Sequence, residues 1–340
     1  MTTITKKPHV PDIRPGWLAL TPEVALEPQL PIIDAHIHLW DFSTPAYFAS
    51  DLAHDANAGH AVQASVYVEC TMGYDDSAPQ ALRPVGETRF ALAQALAAPD
   101  SHRVAAAILG AADLSQGKAV EPILQAHKEA ASGRFRGIRT RAAWDDDPVA
   151  GYPGSSSAPE GLLCQPGFVE GVKCLGANGM SLDVWLFHTQ LPDVCHLARQ
   201  CPNVPIVINH TGGPLGVGAY AGKRAEVFAV WSANIREVAK HANVHIKLGG
   251  LGISRIGFGF DALPEPLSSD TLAKMWGPYV ATCIDAFGPE RCLFASNFPV
   301  DKAVCSYTTL WNTFKKLTYA FSTHERAGMF FGNAQALYRI

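Results

Sequence analysis

Leu30-Pro31-Ile32-Ile33-Asp34-Ala35-His36-Ile37-His38 is a short apolar run that closes on two histidines one residue apart. A strand repeats its side-chain direction every two residues, so an extended reading puts Asp34, His36 and His38 on one face and Ile33, Ile37 and Leu39 on the other. One face packs and the other is free for chemistry. Two neutral imidazoles side by side are half of a divalent metal site, because imidazole suits zinc, iron and nickel alike. A lone histidine here would read as a satisfied core residue. A pair preceded by Asp, at the point where a parallel strand ends, points to a site.

Working outward, seven further β-like runs follow at 62–69, 103–110, 135–141, 181–187, 205–210, 243–249 and 292–298. Helical patterns at 84–98, 119–131, 189–200, 223–241, 270–287 and 307–319 fall between most of them. Near-continuous apolar strands separated by amphipathic helices indicate a parallel sheet covered on both faces. Eight such units predict an α/β fold, a distorted (β/α)8 TIM barrel in a single domain. A doubly wound sheet would want a glycine-rich phosphate turn after its first strand, where this chain has His38-Leu39-Trp40-Asp41. Residues 1–29 are expected to lie as an arm on a barrel that takes 30–340. Segments 142–163 and 250–269, rich in Gly, Pro and Ser, are expected to be loops over the active face. The segment 323–338, opened by the capping-box pattern Ser322-Thr323-His324-Glu325, is expected to close the barrel's underside or to meet a second copy.

With 48% apolar and 17% charged residues in 340, the chain can bury a large core. Its net charge of -4 and lack of any Lys/Arg cluster leave no electrostatic footprint for nucleic acid or an anionic membrane. A small-molecule substrate is the expected partner, and a homo-oligomer stays open. The eight cysteines include no C-x-x-C pair and read as reduced core residues. The start lacks an apolar leader and no run of roughly 18 apolar residues occurs, so the expected location is cytoplasmic.

If the strands close into a barrel, their C-terminal ends gather His36 and His38, Tyr67 and Glu69, Arg139 and Arg141, His188, His210, Lys247, Asn297 and, just beyond, Asp301. Polar residues ending apolar strands are unfavourable unless they pair or bind something. Lys247 and Glu69 suit an internal ion pair or ligand contacts equally. Arg139 and Arg141 suit a brace to Asp145–Asp147 or a bidentate grip on a substrate carboxylate.

These residues sit in motifs that resemble the amidohydrolase superfamily: Asp34-Ala35-His36-Ile37-His38-Leu39-Trp40-Asp41, Arg136-Gly137-Ile138-Arg139, Val207-Ile208-Asn209-His210-Thr211-Gly212-Gly213-Pro214, Lys247-Leu248-Gly249-Gly250-Leu251-Gly252 and Phe294-Ala295-Ser296-Asn297-Phe298-Pro299-Val300-Asp301. Within it they are most similar to the branch of metal-dependent TIM-barrel hydrolases that includes sugar lactonases and a dicarboxylate lactonase. The resemblance implies hydrolysis at a carbonyl centre with one divalent metal, zinc first, or none. It casts His36, His38 and His188 as metal ligands and His210 as a ligand or carbonyl-polarising group. Its strand-8 position is usually Asp; here it is Asn297. A neutral amide cannot take a proton from water, so Asp301 becomes the expected base, with Asp34 and Asp183 behind it.

The expected reaction is opening of a lactone or related activated ester by water, metal-assisted or, with the carboxylate lost, metal-free and base-assisted. Glu69, Tyr67, Lys247 and the two arginines are expected to hold substrate or oxyanion. The rivals are a metal-dependent decarboxylase of an aromatic or unsaturated acid on the same barrel, and an inactive barrel used for binding. Trp144, Phe258 and Phe260 are read as an apolar wall or as loop aromatics packed on the body.

Overall fold

The eight apolar runs become eight parallel strands, β1 (Pro31–Ile37), β2 (Ala61–Val68), β3 (Arg103–Gly110), β4 (Phe135–Arg141), β5 (Ser181–Trp185), β6 (Ile206–Ile208), β7 (Val244–Leu248) and β8 (Cys292–Phe294), in a computed structural model that describes residues 12–99, 102–152 and 158–340. They pair in sequence order, as right-handed βα units must. The barrel closes where Ile37 bridges Phe298, with the Asn297 amide donating to His36 O and the His38 amide to Phe298 O. Helices α1 (Ala49–Ala56), α2 (Val85–Ala97), α3 (Glu121–Ala130), α4 (Pro166–Ala177), α5 (Leu191–Gln200), α6 (Arg224–Ala239), α7 (Ser269–Phe287) and α8 (Tyr307–Leu317) follow the strands in turn, so the fold is a (β/α)8 barrel in one domain. The sequence reading placed six of these. It missed α1 and α4: the first is short, and the second follows a Pro/Gly-rich stretch that masks its start.

The inside of the barrel is narrow and is filled accordingly. Ile33, Ala35, Val66, Val68, Leu109 and Leu293 form an inner apolar cluster with Ala334 and Tyr338 of the C-terminal helices. Those helices, α9 (Thr323–Ala327) and α10 (Asn333–Tyr338), are joined by one wide turn. α9 starts with the Ser322/Glu325 capping box. Arg136 donates to the carbonyl of Tyr338, and the Tyr338 hydroxyl reaches Asp183 Oδ1 at 3.0 Å. The segment therefore plugs the floor, and only the rim around the strands' C-terminal ends is left for a site.

Residues 12–29 lie along α7 and α8. Glu23 accepts from the Ser269 amide at 2.7 Å and from Asn312 Nδ2 at 2.8 Å. The buried Lys315 donates to the carbonyls of Leu26 and Glu27, each at 2.8 Å.

One local expectation is corrected. Between Asp34 and Ile37 strand β1 spends three residues against two on β2 (Asp34 opposite Ser65, Ile37 opposite Tyr67), which is a β-bulge. It breaks the two-residue alternation. Asp34 turns outward, accepting from the Ser296 amide at 2.8 Å and from the Tyr307 hydroxyl of α8 at 3.0 Å, while His36 and His38 turn inward.

Candidate active site

At the rim the two strand-1 histidines meet Nε2 to Nε2 at 3.2 Å. His38 Nδ1 lies 2.8 Å from Val68 O, an acceptor only, so Nδ1 carries the proton and Nε2 the lone pair. The ammonium of Lys247 lies 3.5 Å from His36 Nδ1 and can only donate, which puts the His36 proton on Nε2, pointing at His38. Lys247 is in turn held by Asp183 Oδ2 at 2.6 Å, and Asp183 by Asn209 Nδ2 at 2.9 Å and by Tyr338. One directed chain thus runs from the barrel floor to the rim. Lys247 pairs with Asp183, not with Glu69.

Burial, with His210 and Lys247 next in weight, holds the His36 imidazole well below its usual range. Burial and then Arg139 push His38 down to about 3. Burial and then Arg139 also hold His210 well below the usual imidazole range. All three rings are neutral at neutral pH.

His210 follows β6 in a left-handed conformation with φ 52°, which a non-glycine residue adopts at a cost of about 1–3 kcal/mol. The next residue pins it there: Thr211 Oγ1 donates to Gly249 O at 2.9 Å, and Trp231 Nε1 donates to Thr211 O at 2.8 Å. Gly250 must be glycine, since a Cβ there would lie 2.5 Å from the His210 ring. The ring sits 4.4 Å from that of His36 and 5.0 Å from that of Trp185, centroid to centroid. Its Nδ1 is buried without a partner. A buried orphan acceptor is better tolerated than an orphan N–H, so the proton belongs on Nε2, the ring's other nitrogen.

From β4, Arg139 is buried and faces Glu69 Oε1 at 3.2 Å; Arg141, whose side chain is 47% exposed, faces the same oxygen at 3.5 Å. Arg139 Nε, Glu69 Oε2 and Asn297 Oδ1 are buried without hydrogen-bond partners. Arg139, Arg141 and Asn297, with His38 and His210, border a cavity of about 470 Å³, a size that suits a small ligand, whereas Glu69 and Lys247 stand behind its wall. Its apolar wall is Trp40, Phe42, Tyr152 and Trp185. Phe258 and Phe260 stack on one another at 4.9 Å and pack towards Tyr279 and Trp276, on the body.

Three expected site residues are placed elsewhere. Strand β5 ends at Trp185, and His188, three residues on, faces away: its ring packs on Tyr220 at 5.3 Å and its Nδ1 accepts from the Leu215 amide. Asp183 and Trp185 are the inward residues of that strand, and His188 is of the opposite parity. Tyr67 points into the helix layer, donating to Glu87 Oε1 at 2.9 Å, because Val66 and Val68 take the inward positions. Asp301 stands behind Asn297, accepting from its Nδ2 at 2.9 Å and from the Gly252 amide at 3.2 Å. Burial pushes its carboxyl up to about 7, but it does not border the cavity. Its role here is to orient Asn297. The sequence reading missed Trp185, Arg255 and Tyr152, all of which border the cavity. Parity from Asp183 was enough to find Trp185. Arg255 and Tyr152 lie in the long loops, where sequence carries no such signal.

The donor set does not fit a resident divalent metal. Among the described residues no three His, Cys, Asp or Glu side chains are disposed to hold an ion. The strand-8 carboxylate is replaced by Asn297, His188 is elsewhere, and both cationic neighbours, Lys247 and Arg139, oppose a dication. Ligation through both Nε2 atoms would also move the His36 proton to Nδ1, against the Lys247 ammonium.

Residues 33–340 match the family model described as amidohydrolase. The chain is 31% identical over 334 residues to the uncharacterised protein y4mH of Sinorhizobium fredii, covering 91% of this chain and 98% of that one. It is 27% identical over 332 residues to an L-fucono-1,5-lactonase of Burkholderia ambifaria, covering 91% and 95%. An amidohydrolase from Burkholderia multivorans, crystallised with HEPES in one form and with zinc in another, superposes with a TM-score of 0.70 in each, at 25% and 24% identity over 91% of this chain and 99% of that one.

Proposed function

The chain belongs to the amidohydrolase family and is a hydrolase similar to lactonases, and on that premise we propose that it opens a small lactone by base-assisted attack of water, without a resident metal. The observation that carries the reading is the rim itself: a neutral His210 and a buried Arg139 with an unpartnered Nε border the same cavity as His38, whose Nε2 lone pair is held in place from behind. In this mechanism His38 takes the proton of the attacking water, in exchange for its hydrogen bond from His36. The carbonyl oxygen, becoming an oxyanion, is held by His210 Nε2–H and the Arg139 guanidinium. Collapse breaks the ring C–O bond, and the leaving alkoxide takes the proton back from His38, giving a hydroxy acid. Burial first, and positive neighbours after it, make the imidazoles weak bases, yet those positive charges stabilise hydroxide and oxyanion alike. Such stabilisation of developing negative charge usually contributes most to the rate of acyl transfer.

Zinc bound by the Burkholderia multivorans relative is the reason to test the metal directly. The protein is purified, its metal content is measured, and acid release from L-fucono-1,5-lactone and a panel of five- and six-membered lactones is followed before and after chelation. Retained acid release in protein holding far less than one metal per chain supports the proposal. Activity that vanishes on chelation and returns with zinc overturns its metal-free part. Decarboxylation, the competing reaction, needs an acid to protonate the substrate carbon that carbon dioxide leaves, and no Asp or Glu borders the cavity among the described residues to supply that proton.

A further inference from the structure

We infer that the lactone carries a carboxylate of its own, seated between Arg141 and Arg255 at the cavity mouth, an inference that rests on the lactonase reading above. The cavity is bordered by three guanidiniums, Arg139, Arg141 and Arg255, and by no Asp or Glu among the described residues. The chain as a whole has a net charge of -4, so this concentration of positive charge is local to the cavity. Glu69, just behind, is one carboxylate shared between Arg139 and Arg141, with a single oxygen facing both. It cannot neutralise three cations.

The three arginines divide by depth. Arg139 is 6% exposed and belongs with His210 and His38, where the reacting carbonyl must lie. Arg141 is 47% exposed and stands at the mouth. Arg255 arrives from the opposite direction, on the 250–269 segment. Its Nη1 donates to Val149 O at 2.8 Å and Ala150 O at 2.9 Å, and its guanidinium lies over the Tyr152 ring at 4.2 Å. Those contacts fix the plane of the guanidinium and leave its remaining N–H groups without a carboxylate among the described residues. A stacked, oriented guanidinium without a counter-ion is suited to recognising a planar carboxylate.

Ring opening turns one carbonyl into one carboxylate, and Arg139 is placed to receive it. A neutral lactone would leave Arg255 without a carboxylate partner at any stage, and Arg141 with only its share of Glu69. A lactone with a carboxylate on the ring atom remote from the ester carbonyl pairs with them from first encounter. A positive cavity also raises the local concentration of such an anion.

The test compares 5-oxotetrahydrofuran-2-carboxylate with its carboxamide, two lactones that differ only in that charge, in the wild-type enzyme and in R141M and R255M. We expect kcat/KM to favour the carboxylate by about 10- to 100-fold in the wild type, and that preference to fall towards unity in each variant, the scale of a lost charge-assisted hydrogen bond. Equal or better turnover of the carboxamide overturns the inference and leaves the lactonase reading intact. So does a preference that survives in both variants. R255M also cuts a tie between two loops, whereas Arg141 is half exposed and holds no loop, so R141M keeps the test valid if R255M folds poorly. If neither lactone is opened, calorimetry with glutarate and with its monoamide decides. Tighter binding of glutarate, lost in R141M, upholds the anion seat, and equal binding of the two overturns it.

Discussion

Lys247→Met breaks the chain of contacts that runs up the barrel axis at its middle. Lys247 and Asp183 are both fully buried, with Nζ and Oδ2 2.6 Å apart. At an effective dielectric constant of about 20, two unit charges at that separation attract by roughly 6 kcal/mol, a gross figure from which desolvation must be taken. Removing one partner leaves the other charge buried, which costs about 3–5 kcal/mol in such pairs. Asp183 would keep Asn209 Nδ2 and the Tyr338 hydroxyl as donors, so the lower half of that range is expected. The double variant Asp183→Asn/Lys247→Met has no stranded charge and should lose only about 1–2 kcal/mol, the scale of hydrogen bonds without charge. The assay is urea unfolding followed by the fluorescence of the seven tryptophans, on the wild type, both single variants and the double. A Lys247→Met loss below about 1 kcal/mol would refute the reasoning, as would a double variant as unstable as the sum of the singles, since additivity means no coupling.

Three further outcomes are expected. The lone pair of His38, pushed down to about 3, is free at any pH above that value, so kcat/KM should stay level from pH 8 down to at least pH 5 and fall only in stronger acid. If Asp301, pushed up to about 7, were the base, activity would instead fall as pH drops below about 7, and a pH-stat profile separates the two. Arg139→Met should lower kcat by about 10²–10³ while circular dichroism stays native, the usual loss for an oxyanion donor; a loss under tenfold in steady-state assays would remove Arg139 from the mechanism. His188→Ala should keep kcat/KM within about threefold but lower stability by about 1–3 kcal/mol in urea unfolding, because it strands the Leu215 amide and uncovers Tyr220.

Residues that run with the local period were legible; those that depend on where a strand stops or slips were not. The eight strands and most helices show because apolar runs and amphipathic stripes are local signals. His36 and His38 were found by their spacing, and His210, Lys247, Arg139 and Asn297 by ending apolar runs. Asp34 was misplaced because the β1 bulge is set by pairing with β2. His188 was misplaced because β5 ends at Trp185, two residues before the apolar character does. Asp301 was read as a base because a carboxylate close in sequence to a strand end looks available. In the fold its oxygens are already taken by Asn297 and Gly252.

From its residues alone the chain determines that it must form a parallel (β/α)8 barrel with imidazoles at the rim, because side-chain periodicity along each strand and helix is a property of the local chain. Only the tertiary structure decides which of those imidazoles meet, that Lys247 answers Asp183, and that Arg255 comes to the same cavity as Arg141. These are contacts between segments far apart in sequence, and their geometry follows from register, strand length and loop path, none of which a residue's immediate neighbours specify.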